Sequence, residues 1–208
     1  MPETTFETVA VIGSGTMGHG IAQVSAMAGM QVFLFDVAEA ALQSGLDRIH
    51  DNLDKGVDRG KVSEEQREAT LIRIAGTTDL DVAVANASLV VEAVPEKLAL
   101  KQSLFREIDG LAPAGCVMGT NTSSLSVAKI AEAVSDPSRM IGLHFFNPVH
   151  IMQLLEVITH PGTANEVTEQ IRSYGSEIGK TCIYVKDFPG FATSRLGVAL
   201  GMEAIRMF

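Results

Sequence analysis

The sequence predicts an α/β fold in which a mostly parallel sheet carries helices on both faces. The first observation is that short apolar runs alternate with stretches of helical period along nearly the whole chain. The second is composition, since 46% apolar and 20% charged residues, with a mean hydropathy of +0.21, suit a sheet that is buried on both faces. The third is a run of four apolar residues that enters a glycine-rich turn near the start of the sequence. At 208 residues, the chain is long enough for one large domain, or for one domain and part of another.

The first strand is predicted over residues 9–12, and three glycines in the pattern G-x-G-x-x-G follow it. Gly13 permits a sharp turn after the strand, Gly15 permits a close approach of the backbone to a pyrophosphate, and Gly18 permits the next helix to pack on the strand. The N–H groups of the first helical turn then face the phosphates. Because glycines also fill ordinary turns, this spacing alone is a weak indication of a dinucleotide-binding, or Rossmann-type, fold.

An acidic residue strengthens that interpretation. The second strand, over residues 31–35, ends at Asp36, close to the distance at which a carboxylate accepts a hydrogen bond from a ribose 2′-hydroxyl. The same carboxylate repels a 2′-phosphate, so the expected cofactor is NAD rather than NADP. Thr16 and Met17, within the glycine turn, are expected to contact it as well.

Two helices are predicted next, over residues 38–54 and 64–72, and an ordinary dinucleotide-binding domain does not need them. We therefore expect a helical insertion, over residues 38–72, that projects from the body. Three cations, Lys55, Arg59 and Lys61, lie between the two helices. They are either a solvated charged surface or the binding site for an anionic substrate tail, and the sequence does not separate the two.

A short strand over 72–78 and a brief helix over 83–87 lead to a strongly apolar strand that Pro95 ends. Glu96 follows that strand, and Lys101 lies about one helical turn further on. Since ligands bind outside the carboxyl ends of parallel strands, both residues are candidates for contact with the cofactor. The alternative is an acidic residue in a first helical turn and an exposed lysine.

The next strand, over residues 116–120, ends in a polar segment that begins at Asn121 and includes Ser123 and Ser124. These side chains either form a polar rim that faces the ligand or cap the following helix, over 127–134. The segment is therefore a candidate part of the binding site.

A histidine and a glutamate are predicted to meet across a hairpin. A strand over 140–146 ends at an Asn-Pro turn, and a second strand follows. If the two strands pair about His150, then His144 and Glu156 lie opposite each other, with Cβ atoms ~5 Å apart. A carboxylate beside an imidazole holds it in one tautomer and stabilises it when it takes up a proton. A lone histidine at a strand end is more often structural, but a carboxylate within reach favours a catalytic pair.

The C-terminal segment is expected to begin a second domain. A helix over 165–178 and a strand over 182–185 come first, and residues 186–190 indicate a domain boundary. We place the dinucleotide-binding domain at 1–187 and the start of a helical domain at 188–208. The helix there is apolar on several sides, so it docks on the body, pairs with another chain, or continues into more polypeptide.

Composition disfavours several classes of function. A net charge of −9 argues against a general nucleic-acid-binding protein. No run approaches the roughly 20 apolar residues of a membrane-spanning helix, and the first residues lack the pattern of a signal peptide. Cys116 and Cys182 lie in apolar segments, as buried thiols of a reducing compartment do, and no cluster has the spacing of metal ligands. We therefore expect a cytoplasmic protein that binds no metal, nucleic acid or membrane.

Taken together, the motifs resemble those of the L-3-hydroxyacyl-CoA dehydrogenases, particularly the bacterial 3-hydroxybutyryl-CoA dehydrogenase type. The resemblance covers nearly the whole chain, and the LHFFNP string after NTSS is far more specific than the glycine turn. The matching segments are GSGTMG at 13–18, Asp36, VVEAVPE at 90–96, NTSSLS at 121–126, LHFFNPV at 143–149, LLEV at 154–157 and KDFPGF at 186–191.

The resemblance implies oxidation of the 3-hydroxyl group of an (S)-3-hydroxyacyl-CoA, of short chain such as 3-hydroxybutyryl-CoA, by hydride transfer to NAD in fatty-acid or related breakdown. It makes His144 the base that takes the hydroxyl proton, Glu156 the acid that orients this base, and Ser123 the donor to the reacting oxygen. An all-helical second domain would complete the acyl pocket and form a homodimer. The residues along the cofactor would be Asp36, Glu96, Lys101, Asn121 and Asn147.

The chain departs from the family pattern in two ways. Ser194 stands where the family usually has an asparagine that helps to form the substrate site, and a serine offers one hydroxyl in place of an amide. The chain also keeps only the first helix of the helical domain. Two alternatives remain open: an NAD-binding module that is inactive without that domain, or a related sugar-acid dehydrogenase that uses the same His–Glu pair on a substrate without CoA. The cations of the insertion favour CoA.

Overall fold

One sheet of eight strands organises the structure, a computed structural model that describes residues 4–208. The strands are β1 (Thr8–Ile12), β2 (Gln31–Phe35), β3 (Ile74–Thr77), β4 (Leu89–Glu92), β5 (Val117–Thr120), β6 (Met140–Phe145), β7 (Leu154–Thr159) and β8 (Thr181–Lys186). They lie in the order β3-β2-β1-β4-β5-β6-β7-β8, and every neighbouring pair is parallel except β6 with β7. The predicted α/β class with a mostly parallel sheet is confirmed.

The structure has eight α-helices, counted over residues 4–208, of which the first seven cover the two faces of the sheet. They are α1 (Gly18–Met27), α2 (Glu39–Asp58), α3 (Glu64–Ile72), α4 (Leu80–Val84), α5 (Leu98–Leu111), α6 (Val127–Ala131), α7 (Asn165–Glu177) and α8 (Thr193–Arg206). A single 3-10 turn over Pro137–Arg139 enters β6. The sheet order departs from chain order at β1, whose neighbours are β2 and β4, and ligands of such sheets bind at this kind of switch point.

Strand β1 shows why the apolar runs are continuous rather than alternating. Val9 and Val11 are completely buried in one hydrophobic cluster, which includes residues of α1 and α7. Ala10 and Ile12 are completely buried in a second cluster on the opposite face, with residues of α5. Each face of the strand is therefore covered, and every side chain position favours an apolar residue.

The predicted helical pair is present as α2 and α3, and the apolar side of α2 packs on the body. Leu42, Ile49 and Leu53 of α2 are at most 3% exposed and join the cluster that covers α1. The three cations at the end of the pair are exposed, as are other polar residues of the two helices. The apolar stripe seen in the sequence therefore packs on α1, and the projection of the pair stays a prediction. Helix α3 begins where predicted, with a capping box between Ser63 and Gln66.

Some predicted boundaries are shifted by local hydrogen bonds. The brief helix expected over 83–87 is α4 and begins at Leu80, because the Asp79 carboxylate accepts hydrogen bonds from Asp81 N and Val82 N and so caps it. Helix α2 extends to Asp58 rather than residue 54, and α6 ends at Ala131 rather than residue 134. These differences of a few residues leave the order of elements unchanged.

The last helix, α8, extends the chain beyond the sheet without covering any of it. None of its residues is buried, and Leu196, Val198 and Leu200 are each more than 60% exposed. A helix with this much apolar surface gains little by folding alone. The boundary placed between residues 187 and 188 stays a prediction, and residues 1–3 of the first predicted domain lie outside the described residues.

Within residues 4–208, no helix combines the length and apolar character needed to cross a membrane. The same residues contain no group of three or more His, Cys, Asp or Glu side chains placed to hold a metal ion. Both cysteines are free thiols, and burial raises the pKa of Cys116 to about 12.

Candidate active site

A pocket of about 670 Å³ opens beside the glycine turn at the carboxyl ends of β1, β2 and β4. Its walls are mostly apolar, and Asp36 is the one charged residue among those that line it. This is the location in which doubly wound sheets bind nucleotides. The lining residues include Gly13, Gly15, Thr16, Met17 and Asp36, all of which were predicted to contact the cofactor, together with Phe35, Val37, Pro95, Leu100 and Leu104.

The three glycines have different roles. Gly13 has φ +102°, and a Cβ there would lie 2.9 Å from the carbonyl oxygen of Ala93. A Cβ on Gly18 would lie only 1.6 Å from the Gly13 carbonyl oxygen, so Gly18 lies beneath the turn and does not line the pocket. A Cβ on Gly15 would meet no atom within 4 Å, so the space above this residue is open. The open space and the pocket volume fit the phosphates and adenosine of a dinucleotide.

Three hydrogen bonds within the chain hold the Asp36 carboxylate in place. Its Oδ2 accepts hydrogen bonds from the backbone N of Ser14 at 3.0 Å and from the Ser14 hydroxyl at 2.9 Å. Its Oδ1 accepts one from Ala38 N at 3.2 Å. These bonds fix the carboxylate at the end of β2, where the predicted ribose contact requires it.

Glu96 and Lys101 meet, but only Glu96 is at the surface. Lys101 Nζ lies 3.2 Å from Glu96 Oε2 and 2.7 Å from Glu92 Oε1, and its side chain is completely buried. The alternative of an exposed lysine is therefore wrong. With no exposed atom, Lys101 supports Glu96 from below, and its own contact with the cofactor stays a prediction.

Glu96 also orders the polar segment after β5. Its Oε1 accepts hydrogen bonds from the Thr122 hydroxyl and from Ser123 N, the latter at 2.8 Å. Burial tends to raise the pKa of Glu96, but the Thr122 hydroxyl and the Lys101 ammonium lower the pKa below its ordinary value. The carboxylate is thus ionised and faces the segment that carries Ser123.

The two predicted asparagines differ in their surroundings. Asn121 Oδ1 accepts a hydrogen bond from Phe145 N at 3.0 Å, which ties the end of β5 to the end of β6. Asn147 is exposed in the turn after β6. Asn121 therefore helps to place the strand end that carries His144, and Asn147 is free to face a ligand from the same edge.

The predicted pair of His144 and Glu156 is present. The two residues are direct partners in the antiparallel register of β6 and β7, and His144 Nδ1 lies 2.6 Å from Glu156 Oε2. His144 is 7% exposed and Glu156 is completely buried. Because the carboxylate engages Nδ1, Nε2 is the nitrogen left for proton transfer.

Aromatic rings surround the imidazole. The ring centroid of Phe146 lies 4.6 Å from that of His144, and the ring centroid of Phe191 lies 6.0 Å away. Phe191 is 5% exposed. The rings limit the orientations that the imidazole can adopt and exclude water from one side of it.

Glu156 receives further hydrogen bonds that the sequence did not indicate. Oε1 accepts from Ala192 N and Thr193 N, and Oε2 accepts from the Thr193 hydroxyl at 2.7 Å. Burial tends to raise the pKa of Glu156, but these hydrogen bonds and the one from His144 lower the pKa below its ordinary value. No spacing rule pairs residues 36 or 37 positions apart, so only the folded chain could reveal these contacts.

Ser123 and Ser194 lie next to each other. The Ser194 hydroxyl donates a hydrogen bond to the carbonyl oxygen of Ser123 at 3.3 Å. Ser123 is exposed and its hydroxyl has no partner among the described residues. The first turn of α8 therefore reaches the predicted site, and the Ser123 hydroxyl is available to a substrate.

Lys55, Arg59 and Lys61 share one pocket of about 320 Å³. The pocket also contains the amides of Gln23 and Asn52, which are joined by a hydrogen bond of 3.2 Å. Its remaining lining includes Met27, Val62, His150 and Ile151. The structure thus joins the predicted cations into one groove with the loop that follows β6, a connection that the sequence left open.

A comparison with family models decides the family. Residues 8–188 match the model described as 3-hydroxyacyl-CoA dehydrogenase, NAD binding domain. The chain belongs to the 3-hydroxyacyl-CoA dehydrogenase family. The resemblance inferred from the motifs is confirmed, and NAD is the cofactor of the matched domain.

Members of the 3-hydroxyacyl-CoA dehydrogenase family are similar over almost all of this chain. A 3-hydroxyadipyl-CoA dehydrogenase of Escherichia coli is 44% identical over 200 residues, which are 96% of this chain and 42% of that protein. A probable 3-hydroxybutyryl-CoA dehydrogenase of Bacillus subtilis is 37% identical over 95% of this chain and 68% of its own length. The chain thus spans from about two fifths to about two thirds of these relatives.

Two solved structures show the same fold over most of this chain. FadB2 of M. tuberculosis superposes with a TM-score of 0.93 at 37% identity, over 99% of this chain and 72% of that one. A 3-hydroxybutyryl-CoA dehydrogenase of Escherichia coli superposes with a TM-score of 0.87 at 44% identity, over 89% of this chain and 39% of that one. The likeness extends over α8, which lies beyond the matched NAD-binding domain.

Proposed function

We propose that the protein carrying this chain oxidises the 3-hydroxyl group of an (S)-3-hydroxyacyl-CoA to a ketone, with NAD as the oxidant. The observation that carries the proposal is the contact of 2.6 Å between His144 Nδ1 and Glu156 Oε2 at the carboxyl edge of the sheet. The same edge holds the dinucleotide pocket and the exposed Ser123. A base, a hydrogen-bond donor for the reacting oxygen and a dinucleotide site together suit the dehydrogenation of an alcohol.

His144 acts as the base in this proposal. Its Nε2 takes the proton of the substrate hydroxyl, and Glu156 stabilises the imidazolium that results, through Nδ1. When bound, NAD supplies the acceptor for the hydride that leaves the same carbon. The product is a 3-ketoacyl-CoA, and the proton and hydride account for both hydrogens that the alcohol loses.

Ser123 stabilises the oxygen as it becomes a carbonyl. Its hydroxyl is exposed at the end of β5, while its carbonyl oxygen is held by the Ser194 hydroxyl at 3.3 Å. A serine at position 194 therefore acts on the substrate through the position of Ser123. This is the role that we assign to Ser194 in place of the amide that the family usually has there.

The groove with Lys55, Arg59 and Lys61 binds the CoA part of the substrate. CoA carries phosphates at one end and amides along its length, which match the three cations and the paired amides of Gln23 and Asn52. The expected substrate is a short-chain one such as 3-hydroxybutyryl-CoA. Changing Lys55 and Lys61 to Glu should raise the KM for an acyl-CoA on the order of tenfold and leave NAD binding unchanged. An unaltered KM would remove the argument that these cations bind CoA.

Replacement of His144 tests the chemistry. With 3-hydroxybutyryl-CoA and NAD, His144→Ala should lower the rate of NADH formation on the order of 10²-fold or more. The matched control is His50→Ala, which removes an exposed imidazole from α2. Near-normal turnover in the His144 variant refutes the assignment.

The second candidate is a chain that binds NAD but does not turn over without a helical domain. The exposed apolar surface of α8, and the share of the relatives that the chain spans, favour it for these 208 residues by themselves. Calorimetric titration with NAD beside the turnover assay separates the two, because the module binds without turnover. We also propose a homodimer when the helical domain is complete, and sedimentation velocity measures that.

A further inference from the structure

The Glu156 carboxylate joins two parts of the chain that are distant in sequence. One is His144 on the neighbouring strand, and the other is the start of α8, which supplies Ala192 N, Thr193 N and the Thr193 hydroxyl. Glu156 itself is completely buried, so water does not replace these donors. Four donors therefore determine where the carboxylate lies.

The donors are divided unequally between the two oxygens. Oε1 accepts only the backbone N–H groups, from Ala192 at 3.1 Å and from Thr193 at 2.9 Å. Oε2 accepts from both His144 Nδ1 at 2.6 Å and the Thr193 hydroxyl at 2.7 Å. The Thr193 hydroxyl thus shares an oxygen with the imidazole and is the one non-backbone donor besides His144 among the described contacts of Glu156.

An uncommon backbone conformation brings Thr193 to this position. Gly190 has φ +75°, and Phe191, which is not a glycine, has φ +48°. A non-glycine residue in the left-handed region is costly and persists where the surroundings hold it. Phe191 is 5% exposed and packs near the His144 ring. The chain therefore turns tightly at residues 190–191, and the next two N–H groups point at Glu156.

We infer that Thr193 is a positioning residue whose hydroxyl holds Glu156 Oε2 against His144 Nδ1 and so keeps the imidazole in the tautomer with hydrogen on Nδ1. The catalytic value of this contact rests on the proposed role of His144. The geometry of the contact is independent of that role, because it is formed within the described residues alone. The first residue of α8 consequently belongs with the strand pair that carries the histidine.

Removal of the Thr193 hydroxyl affects the two oxygens of Glu156 differently. If the hydroxyl is removed, Oε1 keeps its two N–H donors, so the carboxylate stays near the start of α8. Oε2 loses the partner that fixes its direction, and rotation about the last side-chain bond becomes easier. His144 Nδ1 then loses a firmly placed acceptor, and the other tautomer becomes populated.

Nitrogen-15 NMR of the imidazole side chains tests the inference in the 208-residue chain without substrate. In a neutral imidazole, the shifts of Nδ1 and Nε2 report which nitrogen carries the hydrogen. His144→Gln identifies the resonance by its loss. For Thr193→Val, which keeps the shape and the backbone N–H, we expect the ratio of the Nδ1–H to the Nε2–H tautomer to fall on the order of fivefold. Thr193→Ser, which keeps the hydroxyl, should retain the original ratio.

Controls separate positioning from a purely structural role. Thr168→Val removes a hydroxyl that donates to the carbonyl oxygen of Ala164, the residue before α7, and should leave the His144 tautomer unchanged. If Thr193→Val lowers the melting temperature but leaves the tautomer ratio intact, the inference is overturned and Thr193 is only structural. If that variant does not fold, Thr193→Ala carries the same test. If the unchanged protein does not oxidise the acyl-CoA but Thr193→Val still gives the expected tautomer change, the proposed function is contradicted and this inference is not.

Discussion

Lys101 and Glu92 form an ion pair that is completely closed to solvent, with 2.7 Å between Nζ and Oε1. Glu92 is the last residue of β4 and also accepts hydrogen bonds from Val94 N and the Thr120 hydroxyl. Lys101 reaches on to Glu96 at the surface. The pair therefore connects the buried sheet to the loop that lines the dinucleotide pocket.

Breaking that pair should destabilise the fold strongly. Lys101→Met leaves the Glu92 carboxylate buried without its counter-charge, which costs about 3–5 kcal/mol. Urea unfolding followed by circular dichroism measures this cost. Lys97→Met, at an exposed position just before α5, is the matched control and should change stability by less than about 0.5 kcal/mol. A loss below about 1 kcal/mol for Lys101→Met contradicts the importance of the pair.

Replacement of two glycines of the turn should affect two different properties, stability at Gly18 and NAD binding at Gly15. Gly18→Ala places a Cβ on the Gly13 carbonyl, so it should destabilise the protein by about 1–3 kcal/mol or more. Gly15→Ala meets no protein atom within 4 Å, so stability should hold while the Kd for NAD rises on the order of tenfold. Thermal unfolding and calorimetric titration measure the two effects. Equal losses of stability in both variants would argue against the assigned roles.

Asp36 should set the preference for NAD. Asp36→Asn removes the charge but not the size of the side chain, so a charged hydrogen bond of about 1.5–3 kcal/mol to the ribose is lost and the Kd for NAD rises roughly tenfold or more. Repulsion of a 2′-phosphate is lost as well, so binding of NADP relative to NAD should improve. Titrations with both dinucleotides measure the ratio, with the exposed Asp51→Asn on α2 as control. An unchanged ratio would falsify the role of the Asp36 charge.

Glu156 should make stability depend on acid pH. Its hydrogen bonds lower its pKa in the folded state below the ordinary value of 4.5, so the charged form stabilises the fold above that pH. This contribution is lost as the pH falls through the folded-state pKa. Glu156→Gln lacks it, so the stability difference between the unchanged protein and this variant should shrink when the pH falls from about 7 to below about 4.

Urea midpoints over that pH range give the difference directly. The control is Glu68→Gln, which replaces an exposed carboxylate of α3. The difference in stability between this variant and the unchanged protein should vary little with pH. If the stability difference between the unchanged protein and Glu156→Gln grows as the pH falls, the prediction is contradicted.

Those parts of the site that depend on local periodicity were predictable from the sequence. The glycine turn between a strand and a helix has a fixed spacing, and the pocket forms beside it as expected. The contact between His144 and Glu156 follows from the two-residue period of strands once a hairpin is assumed. Both predictions needed only residues that are near each other in the chain.

The parts that depend on three-dimensional proximity were missed. Lys101 lies on a helix with no acidic residue in its first turn, and nothing in the chain order shows that it faces Glu92 below the surface. Thr193 follows a left-handed turn at Phe191, a conformation that no residue pattern indicated. The packing of Ile49 of α2 on α1 likewise depends on the fold and is not indicated by the order of residues along the chain.

The antiparallel pairing of β6 with β7 has a consequence for the fidelity of folding. Leu143 and Phe145 pair with Val157 and Leu155, and all four enter the main hydrophobic cluster. A slip of one residue would turn these side chains to the opposite face and place the charged Glu156 in their stead. Any chain that misaligns its histidine therefore also loses its core, so the register that sets His144 opposite Glu156 is also the one that buries the apolar side chains.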